Sequence, residues 1–185
     1  MRSDAQLQSA QSWSRRVLLQ AAGTLALGAG LGGTHTVAQA ASLEVGRPAP
    51  PLVLHTVDGQ SISTDDLRGH VVMLTFWATW CGPCHQELPI LSEYAAKHAR
   101  QGLRVLGFSL DEPASLPEVR QMAAGWSFPV GLLGSAYAGG YGRVWRIPVN
   151  FTIDRNGLLA DNGWDSREPA WTAERLERIV TPLLR

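Results

Sequence analysis

An almost unbroken apolar run, Val71 to Trp77, leads within a few residues to two cysteines separated by two positions. A strand with one face in water would alternate polar and apolar residues, so this run predicts a strand that is buried on both faces. From Cys81 to about Arg100 the apolar residues have helical spacing. The cysteine pair therefore lies between a buried strand and the start of a helix, as in α/β folds.

The rest of the chain, from residue 41 onward, continues as a series of strands and helices. We predict a hairpin from 52–57 and 61–63, strands at 103–110 and 128–133, a helix at 115–124, a weak helical turn within 135–146, a second hairpin from 150–153 and 158–161, and a last helix that ends near Leu184. Strand–helix–strand units followed by a hairpin and a closing helix predict a mixed central sheet flanked by helices, with an N-terminal β-hairpin.

Composition limits the classes of protein to consider. Lys and Arg together number 16, as do Asp and Glu, so the formal net charge is +0. No basic run with interleaved aromatic residues is present, so we expect no nucleic-acid partner. A hydrophobic fraction of 45% is sufficient for a packed core. We expect a single domain over residues 41–185, working as a monomer.

The first forty residues have the pattern of an export signal. Arg15 and Arg16 precede a weakly apolar segment that extends to about Gly33, and Ala38 and Ala40 form a signal-peptidase pattern. Adjacent arginines before such a segment favour a twin-arginine signal over a general-secretory one. A membrane anchor is disfavoured because a spanning helix needs about 20 apolar residues. We predict cleavage after Ala40 and a periplasmic location.

The cysteine pair predicts redox chemistry. Cys81 is expected at a helix N-terminus, where free N–H groups and the helix dipole stabilise a thiolate. Cys84, one turn further, can then close a disulfide with it. A structural zinc site needs four ligands, and these are the only two cysteines in the chain. We therefore expect a redox-active Cys81–Cys84 disulfide, with no metal and no other cofactor.

Two further residues are candidates for the site. Glu87 lies three positions after Cys84, on the same helix face, and a buried carboxylate there can accept the Cys84 proton. An exposed helix glutamate is the alternative. Pro148 stands at a strand entrance, and its peptide bond with Ile147 is either cis or trans.

The motifs around these residues resemble a known family. Phe76-Trp77-Ala78-Thr79-Trp80-Cys81-Gly82-Pro83-Cys84, then Glu87-Leu88-Pro89, and later Ile147-Pro148-Val149-Asn150-Phe151-Thr152-Ile153-Asp154-Arg155-Asn156-Gly157, resemble the TlpA/ResA branch of the thioredoxin superfamily. The similarity extends over residues 45–184. It implies a thioredoxin fold with an inserted helix–strand segment between Ser115 and Leu133.

The resemblance also implies roles for individual residues. Cys81 attacks, Cys84 resolves, Pro148 is cis and Glu87 tunes the cysteine pair. The residues expected to form the lip that a client contacts are Trp80, Gly82, Pro83 and Ile147. The implied task is reduction of disulfides in periplasmic client proteins, such as apocytochrome c during cytochrome c maturation or copper-site proteins. Electrons would come from a membrane thiol donor.

The chain departs from the family at several positions. Thioredoxin has a buried aspartate where this chain has Thr75, which leaves Glu87 as the candidate proton acceptor. Asn150 is unusual, and we expect it to lie where a client passes. The Gly-rich stretch 138–142 has no assigned role. Four tryptophans are expected to be buried or partly buried: Trp126, Trp145, Trp164 and Trp171.

Two other functions remain open. A thiol peroxidase of the peroxiredoxin type would have a threonine in place of Ala78 and a proline in place of Leu74. A Cu(I)-binding assembly protein would use thiolates as ligands, but the histidine needed far downstream is missing. His85, adjacent to Cys84, is the only histidine near the thiols in sequence and is more simply a helix-surface residue.

Overall fold

A computed structural model describes residues 43–185. The predicted export signal, residues 1–40, lies outside this part. In chain order the strands and helices are β1 (Val53–His55), β2 (Ser61–Ser63), β3 (Val71–Trp77), α1 (Gly82–His98), β4 (Leu103–Ser109), α2 (Leu116–Ala123), β5 (Val130–Leu132), β6 (Val149–Ile153), β7 (Leu159–Asn162) and α3 (Ala173–Ile179). The predicted sequence of strands and helices is confirmed, with bounds that differ by a few residues.

Five strands form a mixed sheet in the order β5-β4-β3-β6-β7. Strands β3, β4 and β5 are parallel, whereas β6 runs antiparallel to β3 and β7 antiparallel to β6. The end of β3 therefore lies beside the end of β4 and the start of β6, with Phe76 paired to Val149 and Trp77 to Ser109. This edge of the sheet gathers the segment after β3, the segment after β4 and the segment that leads into β6.

The central strand β3 is buried along its whole length, as its composition predicts. Val71, Met73 and Trp77 contribute to a core that also includes Leu88 of α1 and Leu176 of α3. The alternate residues of β3 belong to a second core on the other side of the sheet: Val72, Leu74 and Phe76. That second core includes Leu54 of the separate β1–β2 hairpin and Tyr141 of the Gly-rich loop. The sheet is thus covered on both faces, which is why β3 does not alternate.

The Gly-rich loop contains the short helical turn that the sequence predicts, at Gly139–Tyr141. Gly139 and Gly142 both have positive φ, a backbone conformation that favours glycine. The loop places Tyr141 in the core, but it leaves Trp145 70% exposed. The expectation that Trp145 is buried or partly buried is therefore wrong. The Trp145 ring stacks on the Trp164 ring at a centroid distance of 5.6 Å, but most of the Trp145 surface is exposed to solvent.

The last helix is shorter than predicted. α3 ends at Ile179, and a separate 3-10 turn, Thr181–Leu184, follows it. Pro182 lies inside that turn and has no N–H to donate to a helical carbonyl, which explains the interruption. No helix of the described region, residues 43–185, has the length and apolar character that a membrane span requires.

Candidate active site: a disulfide at the start of helix α1

Cys81 and Cys84 form a disulfide at the start of α1. Cys81 is the N-cap residue, and its Sγ accepts a hydrogen bond from the Cys84 N–H at 3.3 Å. Pro83 occupies the first turn, where a missing N–H costs nothing. Cys84 is fully buried, and Cys81 retains 4% exposure. The cysteine nearer to solvent is thus also the one that the helix N-terminus favours as a thiolate.

The segment between β3 and α1 is held in place by a buried carboxylate. Asp111, just beyond the end of β4, accepts from the Thr79 N–H at 2.9 Å and from the Thr79 hydroxyl at 2.6 Å. The Ser109 hydroxyl donates to the same carboxylate at 2.6 Å. A ring nitrogen of His85 lies 2.7 Å from the Thr79 carbonyl oxygen. These bonds fix the backbone two residues before Cys81.

Sequence reasoning missed Asp111 and Ser109 as part of the site. The available signal was their position, since both lie at the end of a buried parallel strand next to β3. Polar side chains at neighbouring strand ends meet at one edge of the sheet. Without the strand order, however, the sequence does not say which strand end lies beside the cysteines.

The predicted lip residues surround the disulfide unequally. Trp80 is 69% exposed, and Gly82 and Pro83 are also exposed. Ile147 is partly buried and packs against the core that contains Cys81. The Ile147–Pro148 peptide bond is cis, as the family resemblance implies. Through Ile147, the segment before β6 therefore packs against the same core as Cys81.

Glu87 lies on the buried face of α1 and is 1% exposed, so the alternative of an exposed helix glutamate is wrong. Its Oε2 accepts from the Trp171 N–H at 2.9 Å, and the Thr75 hydroxyl lies 3.4 Å from its Oε1. Burial raises the pKa of Glu87 to about 7, against smaller lowering effects of the Trp171 N–H, the Asn150 side chain, Arg175 and Thr75. A carboxyl with this pKa can gain or lose a proton near neutral pH.

Comparison with known proteins agrees with this geometry. The AhpC/TSA family model matches residues 45–161. A Bacillus thuringiensis thiol-disulfide oxidoreductase ResA is 32% identical over 120 residues, which are 64% of this chain and 69% of that protein. The Geobacillus kaustophilus ResA is 31% identical over 146 residues, 77% of this chain and 84% of that protein.

A solved structure is also similar. A thiol:disulfide interchange protein of the thioredoxin family from Chlorobium tepidum TLS has 28% identity and a TM-score of 0.65, with 75% of this chain and 96% of that chain covered. This chain belongs to the ResA-like thiol–disulfide oxidoreductases. Its fold is thioredoxin-like, with the small N-terminal hairpin as an addition. Among the three functions considered from the sequence, the names of these relatives agree with the oxidoreductase.

Asn150 of this ResA-like chain lies elsewhere than expected. Asn150 was predicted on the path of a client, but it is completely buried. Both faces of β6 are covered, and Asn150 pairs across the sheet with Thr75, on the side where Glu87 lies. Its amide donates to the Pro169 carbonyl at 2.9 Å, while its Oδ1 has no hydrogen-bond partner.

The copper hypothesis can be compared with the donor atoms that the fold brings together. Within residues 43–185, no three side chains of His, Cys, Asp or Glu form a cluster suited to a metal ion. His85 is exposed, and its ring nitrogen contacts the Thr79 backbone. The polar contacts described for this ResA-like site are made to Thr79, in the loop between β3 and α1, and to Glu87.

Proposed function

We propose that this thiol–disulfide oxidoreductase reduces disulfide bonds in exported client proteins, with Cys81 attacking and Cys84 completing the exchange. The observation that supports this most directly is the hydrogen bond from the Cys84 N–H to Cys81 Sγ at the start of a 17-residue helix. The same N–H and the helix dipole would stabilise a Cys81 thiolate once the disulfide is reduced.

The reaction then proceeds in two exchanges. The Cys81 thiolate attacks one sulfur of the client disulfide, forming a mixed disulfide and releasing the first client thiolate. Cys84 loses its proton, and its thiolate attacks Cys81 Sγ. The second client thiolate leaves, the client has gained two electrons, and the Cys81–Cys84 disulfide is formed. A membrane thiol donor would return two electrons to restore the dithiol.

Glu87 is the group proposed to take the Cys84 proton. Cys84 and Glu87 are both buried, so solvent has little access to that thiol. A carboxylate whose conjugate acid has a pKa of about 7 is a stronger base than an ordinary glutamate. The proton can therefore move from the thiol to Glu87 at the time when Cys84 must become a nucleophile.

The first test is the reduction potential of the cysteine pair in the full chain, equilibrated in a thiol redox buffer. A value at or below about −230 mV, on the thioredoxin side of the scale, is expected for a reductase. A value near about −120 mV, typical of the oxidant DsbA, would contradict the reductase proposal. The Cys81→Ser, Cys84→Ser double variant is the control for redox signals that arise elsewhere.

The client class is tested by trapping. In Cys84→Ser the second exchange cannot occur, so clients should remain attached to Cys81 through a mixed disulfide. We expect apocytochrome c or copper-site proteins among them, and none attached to Cys81→Ser. Recovery of cysteine-free proteins only, or equal recovery with both variants, would contradict the proposed mechanism.

Export through residues 1–40 is the remaining part of this proposal. Replacing Arg15 and Arg16 by lysine should retain the unprocessed chain in the cytoplasm if the twin-arginine pathway is used. Cell fractionation and mass measurement of the N-terminus would show both the location and any cleavage after Ala40. Unchanged export of the lysine variant would favour the general-secretory pathway instead.

A further inference from the structure

A short segment, Pro169–Trp171, covers Glu87. The Trp171 N–H donates to Glu87 Oε2, and the Trp171 side chain packs in the core that contains both cysteines. The segment belongs to no strand or helix. Since it has no regular backbone pairing to hold it, its position over Glu87 depends on other contacts.

Two buried side chains supply those contacts. Asn150 of β6 donates from Nδ2 to the Pro169 carbonyl at 2.9 Å. Arg175 of α3 donates from Nη1 to the same carbonyl at 3.3 Å, and its guanidinium lies 4.0 Å from the centre of the Trp171 ring. Arg175 is itself fixed by Asp161 at 3.0 Å. The segment is thus tied to the sheet on one side and to α3 on the other.

The Asn150 side chain makes an unfavourable contribution to stability at this position. It is fully buried, and its Oδ1 has no hydrogen-bond partner. A buried polar atom without a partner costs about 1–3 kcal/mol, and an apolar residue of similar volume, such as leucine, would avoid that cost. The amide nitrogen of the same side chain has a defined role, because it donates a hydrogen bond to the Pro169 carbonyl.

We propose that Asn150 is a positioning residue of the exchange reaction: its amide holds Pro169–Trp171 over Glu87 and so keeps the Trp171 N–H directed at the carboxyl that serves Cys84. This inference rests on the proposed function of Glu87. Asn150 touches neither the client nor the disulfide sulfurs in this proposal. It acts through the covering segment and through the direct effect of its own side chain on Glu87.

The charged and polar groups around Glu87 indicate the direction of the effect. Thr75 of β3, Asn150 of β6, the Trp171 N–H and Arg175 of α3 all lower its pKa, and burial alone raises it. Asp161 lies beyond Arg175 and is paired with it. Asn150→Leu removes the lowering effect of the Asn150 side chain and, by releasing the segment, weakens the lowering effect of the Trp171 N–H, whereas burial among apolar side chains still raises the pKa. The pKa of Glu87 should therefore rise.

The decisive measurement is the titration of the Glu87 carboxyl carbon by ¹³C NMR in the oxidised full chain, with Glu87→Gln used to identify the signal. In Asn150→Leu we expect the protonation constant of Glu87 to rise about tenfold or more. Thr152→Val is the matched control, because Thr152 is the next residue on the same face of β6, is fully buried, and also has an unpartnered oxygen. That control should leave the titration unchanged.

The second measurement is the pH profile of the second exchange, followed by release of a chromophoric thiol from a mixed disulfide on Cys81. In Asn150→Leu the acid limb should move to higher pH together with the NMR midpoint. In a Glu87→Gln background, Asn150→Leu should leave the profile unchanged. If Asn150→Leu does not fold, Asn150→Ala removes the same donor and is measured in its place.

The outcomes separate this inference from the proposed function. An unchanged Glu87 titration in Asn150→Leu, or an equal change in Thr152→Val, would overturn the positioning role of Asn150. A shifted titration with a pH profile that does not respond to Glu87→Gln would support the covering role but overturn Glu87 as the proton acceptor. Movement of both the titration and the profile supports the two proposals together.

Discussion

At the scale of single residues, two buried carboxylates have different roles in the site. Asp111 accepts hydrogen bonds from Thr79 and Ser109 and fixes the loop before Cys81. Glu87 accepts fewer strong hydrogen bonds, and burial raises its pKa to about 7. Burial is the main cause of the raised pKa of Glu87, and the donors around that carboxyl lower the pKa to a smaller extent. Asp111 holds the loop through its hydrogen bonds, and Glu87 can exchange a proton near neutral pH.

Glu87→Gln should slow the second exchange about a hundredfold or more, because general acid–base groups commonly contribute at least that factor. The first attack by Cys81 should change much less. Stopped-flow measurement of the two steps with a chromophoric mixed disulfide separates them. Glu93→Gln, an exposed glutamate of the same helix, is the control. Equal slowing in both variants would contradict the role of Glu87.

Asp111→Ala should lower the free energy of unfolding by about 2 kcal/mol or more, because it leaves the Thr79 N–H and two hydroxyls without their charged acceptor. Urea unfolding of the oxidised protein measures the change. Glu112→Ala, at the exposed neighbouring position, should have little effect. A similar stability for both variants would show that the loop does not depend on Asp111.

At the scale of strands and helices, the disulfide depends on where three segments meet. The end of β3 leads to the cysteines, the end of β4 supplies Asp111, and the start of β6 follows the cis-proline segment. The hairpin β1–β2 lies apart from this edge and packs on β5, where the backbone of Thr56 pairs with Gly131. It completes the second core without contributing a residue to the disulfide site.

Gly131→Ala tests how closely the hairpin approaches the sheet. A Cβ at this position would lie 1.9 Å from the His55 carbonyl oxygen, so the two backbones would have to separate. We expect a loss of about 1–3 kcal/mol in the free energy of unfolding, the usual range for overpacking. Gly125→Ala, where a Cβ meets nothing within 4 Å, is the control. The reduction potential should be the same in both variants, since the hairpin lies away from the cysteines.

At the scale of the whole molecule, Glu87 links stability to pH. Its folded pKa of about 7 lies above its ordinary value of 4.5, so the folded protein retains the proton over a range where the unfolded chain has lost it. Stability is therefore greatest below about pH 4.5 for this group and falls as pH rises through 7. A pKa difference of this size corresponds to about 3 kcal/mol.

The expected result is a loss of stability in the oxidised protein between pH 4.5 and 7 that Glu87→Gln does not share. Urea unfolding at several pH values measures the free energy of both proteins, and their difference removes the contribution of all other titrating groups. A constant difference across this range would mean that Glu87 has its ordinary pKa in the folded protein.

The sequence by itself determined the buried strand β3, the cysteine pair at the start of α1, the succession of strands and helices, and the family. These depend on local composition and periodicity, and on motifs of a few neighbouring residues. Even the position of Glu87 on the face of Cys84 follows from helical spacing.

Only the tertiary structure decided what those residues contact. The Trp171 N–H reaches Glu87 across 84 positions of sequence, and Thr79 reaches Asp111 across 32. Trp145 was expected to be buried or partly buried and is exposed, while Asn150 was expected beside the client and is buried. Such contacts depend on which strands are neighbours and which segment covers a helix face. A local pattern fixes the conformation of a segment, but the burial and the partners of its polar groups arise from segments that are distant in the chain.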